Sequence, residues 1–486
     1  MNIFINLQPL QEFFAQDPNT IMWKIVLYYG WIILGYMYIL AARVLWLEQR
    51  QDEFASKIKY TFLAIDVPRA NEQSPKAVEN LFTYLAGAHG SVNFYEKWWE
   101  GKFQVGFSFE IVSIDGYTQF IVRTPVDFKG LVESAIYSQY PDSEITEIDD
   151  YTEGAPKKFP NDEYDIWGTE YIQAANHMFP IKVYKEFEHQ MGPSEAHFRD
   201  PIASLMDLCS SLQRGEQLWY QIIIIPTDFE WIKEADGELD KIIGKKPKVS
   251  KANEIIDMTS EWISGASEAV YSIWGDLKPK PDKEFKALSM MELKPHQKKK
   301  VEGLYEKSSK LGFLVKIRLC YLAKKDVFNP KKTVNGFVGY IKQFGDLHLN
   351  SFKPDMKYTA TSTAFFAKVK RLAEKKTKII NNYIARSAWS GRDPKILNVE
   401  ELATIWHFPI DYVVKAPLVQ KTPGKKGKPP ISLPSEENIV YSESLEPIYS
   451  VSEAASNREV SPSPSVKSDD NASEQSGAAP SNLPFA

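Results

Sequence analysis

The feature that most constrains this chain is an apolar run near its N-terminus. Residues 25–42 (IVLYYGWIILGYMYILAA) hold 18 positions without a charged side chain, and Val44–Leu47 extend the run past one arginine. A helix needs about 20 such residues to cross the roughly 30 Å hydrocarbon layer of a bilayer. The sequence therefore predicts a single transmembrane helix at about residues 23–47, within an N-terminal segment of residues 1–52.

The flanks of this helix predict how it is anchored and oriented. Trp23 and Trp46 lie near its two ends, where indole rings favour the membrane interface, and Lys24 and Arg43 can extend toward water. Only Lys24 is basic before the helix, whereas four basic residues follow over 43–59. The positive-inside rule then predicts a single-pass protein of the inner membrane whose large C-terminal part is cytoplasmic. A buried helix of a soluble protein is the alternative interpretation.

The region after the helix alternates strand and helix patterns. Over 53–155 the order is βαββαβ, with helix starts at Ser74–Pro75 and Thr124–Pro125 and an Asp115–Gly116 turn between two strands. This order is typical of a ferredoxin-like domain. The expected fold class is therefore α+β.

Three further segments complete the predicted organisation. Residues 156–360 form a second α+β domain with a helical insertion at 245–295, although the pattern leaves one of its strands unplaced. Residues 361–434 combine a basic helix with a proline-rich strap. Residues 435–486 are rich in serine and acidic residues and poor in large hydrophobic ones, so they cannot bury enough surface to offset their ordering entropy. We expect this tail to be disordered.

Basic residues are concentrated ahead of the tail, although the whole chain has a net charge of −5. Eight basic residues and one acid lie within 368–392, and 415–428 adds five basic residues without an acid. Such a local excess favours contact with DNA phosphates, anionic lipid headgroups or an acidic protein surface. A solvated helix face followed by a linker is the alternative. The candidate contact residues are Lys368, Lys370, Arg371, Lys375, Lys376 and Lys378.

Catalytic signatures do not emerge from the sequence. The nearest text to a P-loop, GKKGK at 424–428, has the wrong spacing and follows no strand. His177, His189 and His197 lack the spacing of metal ligands, and the acidic run 142–150 suits a solvated strand edge. We therefore expect a protein that is not an enzyme and that uses neither a cofactor nor a metal.

Several stretches together resemble one known family. They are LAIDVPRANEQSPKAVENLFTYLAG, FSFEIVSIDGYTQFIVRTP, DPIASLMDLCSSLQRGEQLWYQIIIIP and IARSAWSGRDPKILNVEELATIWHFP. In combination they resemble the membrane-anchored N-terminal region of bacterial conjugation-type (type IV secretion coupling) DNA-translocating ATPases, over roughly residues 20–434. The shared motifs concern packing and turns, and none is catalytic.

The resemblance also implies a partner. In that family a strap like Lys428–Pro430 leads into a RecA-like motor with a P-loop, and here no P-loop follows the strap. The resemblance therefore implies a non-enzymatic, membrane-anchored component of a translocation apparatus that works with a separate P-loop ATPase. DNA and a second copy of the chain, in an oligomer, are further expected partners beside the bilayer. The alternative is a membrane-anchored nucleic-acid-binding or scaffolding protein unrelated to secretion.

Overall fold

A computed structural model describes residues 17–68, 71, 73–192, 195–198, 200–244, 293–363, 367–410 and 425–426. The predicted insertion lies outside the described residues except for its last three positions. The predicted disordered tail, 435–486, lies outside them entirely.

The first element is a long helix, α1 (Pro18–Lys57). It begins after Asp17, whose carboxylate accepts a hydrogen bond from the Asn19 amide at 3.2 Å. Within Gly30–Lys57 an 18-residue window reaches a mean hydropathy of 1.6, and none of that window is buried in the protein. Length and composition make it the one helix, among the described residues, that could cross a membrane. The prediction of an apolar N-terminal helix is confirmed, and the helix extends ten residues beyond the predicted span.

Six elements follow in the predicted order of strand, helix, two strands, helix and strand. They are β1 (Tyr60–Asp66), α2 (Pro75–Leu85), β2 (Phe107–Ile114), β3 (Tyr117–Pro125), α3 (Lys129–Gln139) and β4 (Glu144–Ile148). The strands lie in the order β2-β3-β1-β4, and every neighbouring pair is antiparallel. The predicted turn is present, with Asp115 and Gly116 both at positive φ, as a two-residue hairpin of this hand requires.

The two predicted helix starts have different outcomes. Helix α2 has Ser74 at its N-cap and Pro75 in its first turn, as predicted. The start predicted at Thr124–Pro125 is wrong, because both residues still belong to β3 and pair with Thr61 and Tyr60. A short 3₁₀ turn over 126–128 follows, and α3 begins only after it.

The second half of the chain continues the same sheet. Its elements are β5 (Tyr164–Gln173), β6 (Glu188–Gly192), β7 (Glu195–Phe198), α4 (Ala203–Ser210), β8 (Glu216–Pro226), α5 (Glu230–Ile243), α6 (Pro295–Ser308), β9 (Gly312–Lys324), α7 (Pro330–Lys342) and β10 (Phe352–Pro354). Strands β6 and β7 form a separate two-stranded sheet. The others lie in the order β8-β9-β5-β10. These four strands take the places that β2, β3, β1 and β4 take in the first half. The strand that the sequence left unplaced is β5.

The two halves join through one antiparallel strand pair. Strand β2 pairs with β8 from Phe107–Ile224 to Ile114–Gln217, so a single ten-stranded sheet runs through both halves. We refer to this β2–β8 pair as the seam. Each half presents the strand at the equivalent position to the other half.

The remaining elements close the sheet. They are α8 (Lys368–Ala385), β11 (Lys395–Asn398), α9 (Val399–Ile405) and β12 (Lys425–Lys426). Strand β11 pairs with the start of β9. The two residues of β12 belong to the proline-rich strap and pair with Glu147 and Thr146 of β4. This part of the strap therefore forms the edge of the sheet, next to β4, which in turn lies next to β1.

Both faces of the sheet are covered, and strand alternation decides what each face carries. Helices α2, α3, α4, α7 and α9 pack on one face around the fully buried Trp406, whose ring lies 4.9 Å from that of Phe109. Helix α8 packs on the other face, against residues such as Trp219 and Val112. Residues buried on both faces explain the nearly uninterrupted apolar sequence of β8.

Candidate functional site

Helix α8 carries all six predicted contact residues, and it lies flat on the second face of the sheet. Ile379, Ile380 and Tyr383 form its buried stripe. Gly168 of β5 allows this close approach, because a Cβ atom there would lie 3.0 Å from the Ile379 side chain. The helix is therefore a fixed part of the core that presents its remaining lysines outward.

A buried ionic cluster secures the C-terminal end of α8. Arg386 adopts a left-handed backbone conformation, and its Nε donates to Glu110 Oε1 at 3.0 Å. Its two terminal nitrogens donate to the carboxylate of Asp150 at 2.8 and 2.9 Å. Burial opposes the charge, yet the carboxylates of Glu110 and Asp150 hold the pKa of Arg386 above its ordinary value. The geometry is the bidentate pairing for which guanidinium groups are suited.

A second buried cluster fixes the loop that follows, residues 387–392. Arg318 of β9 donates from Nε to Glu170 at 3.0 Å and from Nη2 to the carbonyls of Ser387 and Ser390 at 2.6 and 2.7 Å. Glu170 in turn accepts from the backbone amide of Arg392 at 2.7 Å. The loop is thereby bound to two charged side chains of the sheet.

Lys316 belongs to this second cluster. Its Nζ donates to the Ser390 carbonyl at 2.7 Å and lies 3.8 Å from Glu170 Oε1. Burial lowers its pKa to about 8, with the neighbouring Arg318 acting in the same direction and Glu170 against it. The lysine therefore serves as a structural donor to the loop, and it is not presented to solvent.

The two clusters are connected across the seam. Glu110, Gln221, Arg318 and Glu170 are direct partners on β2, β8, β9 and β5. The Gln221 amide donates to Glu110 at 2.9 Å, and its carbonyl oxygen accepts from Arg318 at 3.3 Å. A continuous polar row thus crosses four strands under α8, and each member has at least one bonded neighbour.

A groove opens where α8, the loop and the segment after β10 meet. It has a volume of about 260 Å³ and is lined by Tyr358, Thr359, Lys375, Lys378, Ile379, Asn382, Gly391 and Arg392. We call it the cationic groove, since three of these side chains are basic. Its size and its charge suit a phosphate group or a cluster of carboxylates.

The three basic side chains of the cationic groove differ in how many partners they already have within the protein. Lys375 Nζ donates to the carbonyls of Ala360 and Ser362 at 3.2 and 3.0 Å, so two of its three protons are used. Arg392 pairs with Asp355 at 2.8 Å, and its guanidinium carbon lies 4.0 Å from the centre of the Tyr358 ring. Lys378 is exposed, and no acceptor for its ammonium group lies among the described residues.

The six predicted contact residues therefore fall into two groups. Lys368, Lys370, Arg371 and Lys378 are exposed. Lys375 and Lys376 are half-buried, and Lys376 forms an ion pair with Asp165 of β5. The exposed group remains a candidate surface for an anionic partner, whereas the half-buried pair contributes to the packing of α8.

The predicted membrane-interface residues lie on α1 as expected. Trp23 and Arg43 are exposed, Lys24 is half-buried, and Trp46 is exposed but donates from Nε1 to the Trp98 carbonyl at 3.0 Å. The sequence did not indicate this contact with residues 93–103.

The three histidines singled out in the sequence lie in different settings. His177 Nε2 lies 3.2 Å from Glu234. The backbones of His189 and His197 are paired across β6 and β7. Within the described residues no group of three or more histidine, cysteine or acidic side chains is arranged to hold a metal ion.

Sequence reasoning missed the buried charges that position α8. Glu110, Gln221 and Arg318 each stand inside a strand that is mostly apolar: FSFEIVSI, LWYQIIIIP and FLVKIRLCYLA. A polar residue inside such a strand is costly unless it is paired, so each was a signal for a buried network. Which residues pair depends on the register of three strands, and a single sequence does not supply that register.

Comparison with known proteins assigns no family. No family model matches the chain, and no curated protein matches it.

Proposed function

We propose that this protein is a non-enzymatic, membrane-anchored component of a translocation apparatus similar to type IV secretion and conjugation systems, and that it works with a separate P-loop ATPase. Its large part faces the cytoplasm from the inner membrane, as the basic residues after α1 favour. The observation that carries the proposal is the combination of a membrane-type helix with a rigidly mounted basic helix.

The proposed cytoplasmic part consists of two similar halves. The first half has the element order and the strand order β2-β3-β1-β4 that a ferredoxin-like unit would have, and the second half has the equivalent strand order with β6, β7, α5 and α6 added to its elements. We assign both halves to that class. A motor subunit that docks on α8 would meet its exposed lysines on a surface that does not have to be ordered on binding.

Charge explains how such a surface would act. Lys368, Lys370 and Lys378 add three exposed positive charges that no described acid pairs with. Charges of this kind raise association rates and select an acidic partner more than they raise affinity. Reversing these three charges should therefore slow association with the partner, more at low salt than at high salt, and leave the protein folded.

The alternative function, a membrane-anchored nucleic-acid-binding protein, is favoured by one observation. Tyr358 in the cationic groove is exposed beside Arg392, and aromatic rings next to cations are what single-stranded nucleic acids stack on. Three phosphate contacts with a single strand would give a salt slope of about −2.1, so affinity would fall about 18-fold between 50 and 200 mM salt. This magnitude separates the two functions.

One experiment tests both functions with a matched pair of variants. The test variant is K368E/K370E/K378E. The control variant, K325E/K331E/K342E, reverses three exposed lysines elsewhere and changes the net charge equally. Full-length protein would be isolated from its native membrane and assayed for copurifying ATPase, and the purified protein would be titrated with a 20-nucleotide single strand.

The outcomes are distinct. Loss of a P-loop ATPase from the test variant alone, with no DNA binding by either variant, supports the proposal. DNA binding by the unmodified protein that the test variant alone loses supports the alternative. If both variants behave like the unmodified protein, the lysines of α8 are only a solvated face and the proposal is wrong.

A further inference from the structure

The segment between α2 and β2 forms a compact loop rich in aromatic residues. We call residues 93–103 (NFYEKWWEGKF) the aromatic loop; it contains a single π-helical turn at Glu96–Glu100. Asn93 and Glu96 bond reciprocally, since each backbone amide donates to the other's side chain at 2.9 and 2.8 Å. Lys102 Nζ donates to Glu96 at 2.8 Å. The loop is therefore a built structure with its own cap and ion pair.

The aromatic loop is bound to the C-terminal part of α1. Trp46 donates to the carbonyl of Trp98, and the guanidinium carbon of Arg43 lies 5.0 Å from the centre of the Trp98 ring. Gly101, at φ +71°, approaches so closely that a Cβ atom would lie 2.1 Å from the Arg50 carbonyl oxygen. Farther along, the rings of Phe54 and Phe103 meet edge to face at 5.4 Å.

Three aromatic side chains of the loop point away from the protein. Phe94 is 73% exposed, Tyr95 is 60% exposed and Trp99 is 58% exposed. The rings of Tyr95 and Trp99 stack at 5.9 Å, which presents them as one surface. Exposed aromatic clusters of this kind mark an interaction site, because contact between apolar rings and water is unfavourable.

The position of this surface along α1 indicates what covers it. Arg43 is the first charged residue after the apolar run 25–42, and Trp46 lies one turn further on. Both touch Trp98, so the aromatic loop lies at the level where the apolar helix meets its first charges. The contacts from Arg43 to Phe54 cover 11 residues, or about 16 Å along the helix.

We propose that Phe94, Tyr95 and Trp99 insert into the interface of the same bilayer that α1 crosses. This inference rests on the proposed membrane anchor, and it holds for either orientation of α1, because the loop is attached to the helix itself. Tryptophan and tyrosine are enriched at this depth of a membrane, where the ring body is shielded and the polar atom stays hydrated.

The charges of the loop agree with this location. Glu96 is neutralised by Lys102, and Lys97 is exposed beside the aromatic residues, where it can meet a lipid phosphate. A helix alone leaves the attached domain free to rotate and tilt. A second contact next to it would hold the sheet in one orientation relative to the membrane.

Site-specific fluorescence tests the insertion in the full-length protein. The only natural cysteines, Cys209 and Cys320, are buried, and burial raises the pKa of Cys209 to about 12, so introduced cysteines are labelled selectively. The labelled positions are W99C, Y95C, L40C within the apolar run and Y117C at the start of β3, just beyond the far end of β2. Each carries an NBD group, and the protein is reconstituted in phosphatidylcholine vesicles with or without lipid that bears a doxyl group at acyl carbon 5.

The expected results follow from depth. Labels at 99 and 95 should emit at shorter wavelength than the label at 117 and lose about half of their emission to the doxyl lipid, since interfacial groups lie roughly 5–10 Å into the headgroup and acyl boundary. The label at 117 should be unaffected, because β2 carries that position about 26 Å away over eight residues.

Three results would overturn the inference, each in a different way. If the label at 40 is quenched while those at 95 and 99 emit as in water, the anchor stands and the aromatic loop is in solvent. Short-wavelength emission at 95 and 99 without lipid quenching would mean that a protein surface or a second copy covers the loop. An unquenched label at 40 would contradict the membrane anchor itself.

Discussion

Replacing Arg386 by methionine removes the guanidinium that binds two carboxylates beneath helix α8. Glu110 is fully buried and would retain donors from Ser108, Gln221 and Tyr151, but it would lose the positively charged group that donates to it directly. Methionine fills much of the same volume, so the substitution leaves little empty space. The main effect is therefore an uncompensated buried charge.

The expected magnitude follows from the burial of the pair. Removal of one partner from a buried ion pair costs about 3–5 kcal/mol, whereas removal of both charges costs far less. We expect the free energy of unfolding of the double variant R386M/E110Q to fall by about 1–2 kcal/mol, which is the value of the other hydrogen bonds that Arg386 no longer makes. With an unfolding entropy of about 2.1 cal/mol/K per residue over roughly 300 residues, R386M should lower Tm by about 5–8 °C and the double variant by about 2–3 °C.

The assay is thermal unfolding of the full-length protein in detergent micelles, followed by tryptophan fluorescence and by circular dichroism. The variant E110Q alone completes the double-mutant cycle and gives the coupling between the two side chains. The reasoning fails if R386M is no less stable than R386M/E110Q, since the charge of Glu110 would then not be the source of the loss.

Three further outcomes are expected. The pKa of Lys316 is about 8 in the folded protein and 10.5 ordinarily, so between these pH values the unfolded chain binds one more proton and the free energy of unfolding rises with pH. The variant K316M should flatten this rise in urea titrations at pH 7, 9 and 10. An unchanged rise would contradict the role assigned to Lys316. The substitution Gly391→Ala should cost about 1–3 kcal/mol in the same titrations, because φ is +98° and the new Cβ would lie 2.3 Å from Glu170 Oε1; wild-type stability would show that the loop is free to move. Removal of residues 435–486 should leave Tm unchanged, as their composition offers no apolar stripe to the core, and a clear drop would contradict that prediction.

Features fixed by neighbouring residues were predictable from the sequence. The Asp115–Gly116 turn and the start of α2 depend on backbone preferences that a few residues determine. Strand β5 was not predictable, because its sequence YDIWGTEYIQ mixes polar and apolar residues without a clean period. Its place in the sheet comes from pairing with β9, about 150 residues later in the chain. Strand β10, with three residues, is shorter than any reliable pattern.

The candidate site shows the same division between local and long-range causes. The basic character of α8 was evident, and so was the exposure of lysines such as Lys368 and Lys378. The sequence overestimated the number of basic residues that are available to a partner, because Arg386, Arg392 and Lys376 each have an acidic partner within the protein. Those partners come from elements far away in sequence, so a count of basic residues could not subtract them.

The continuous sheet also sets how far the basic helix α8 lies from the start of the sheet. Five strand-to-strand intervals separate β1, which follows α1 directly, from β5, under α8. At about 4.8 Å each they add up to a sideways offset of about 24 Å. The natural twist of roughly 20–25° per interval turns the outer end by about 100–125°. A partner that engages the cationic groove would therefore stand about 24 Å across the sheet from β1, and it would face a direction between a quarter and a third of a turn away from that of the first strand.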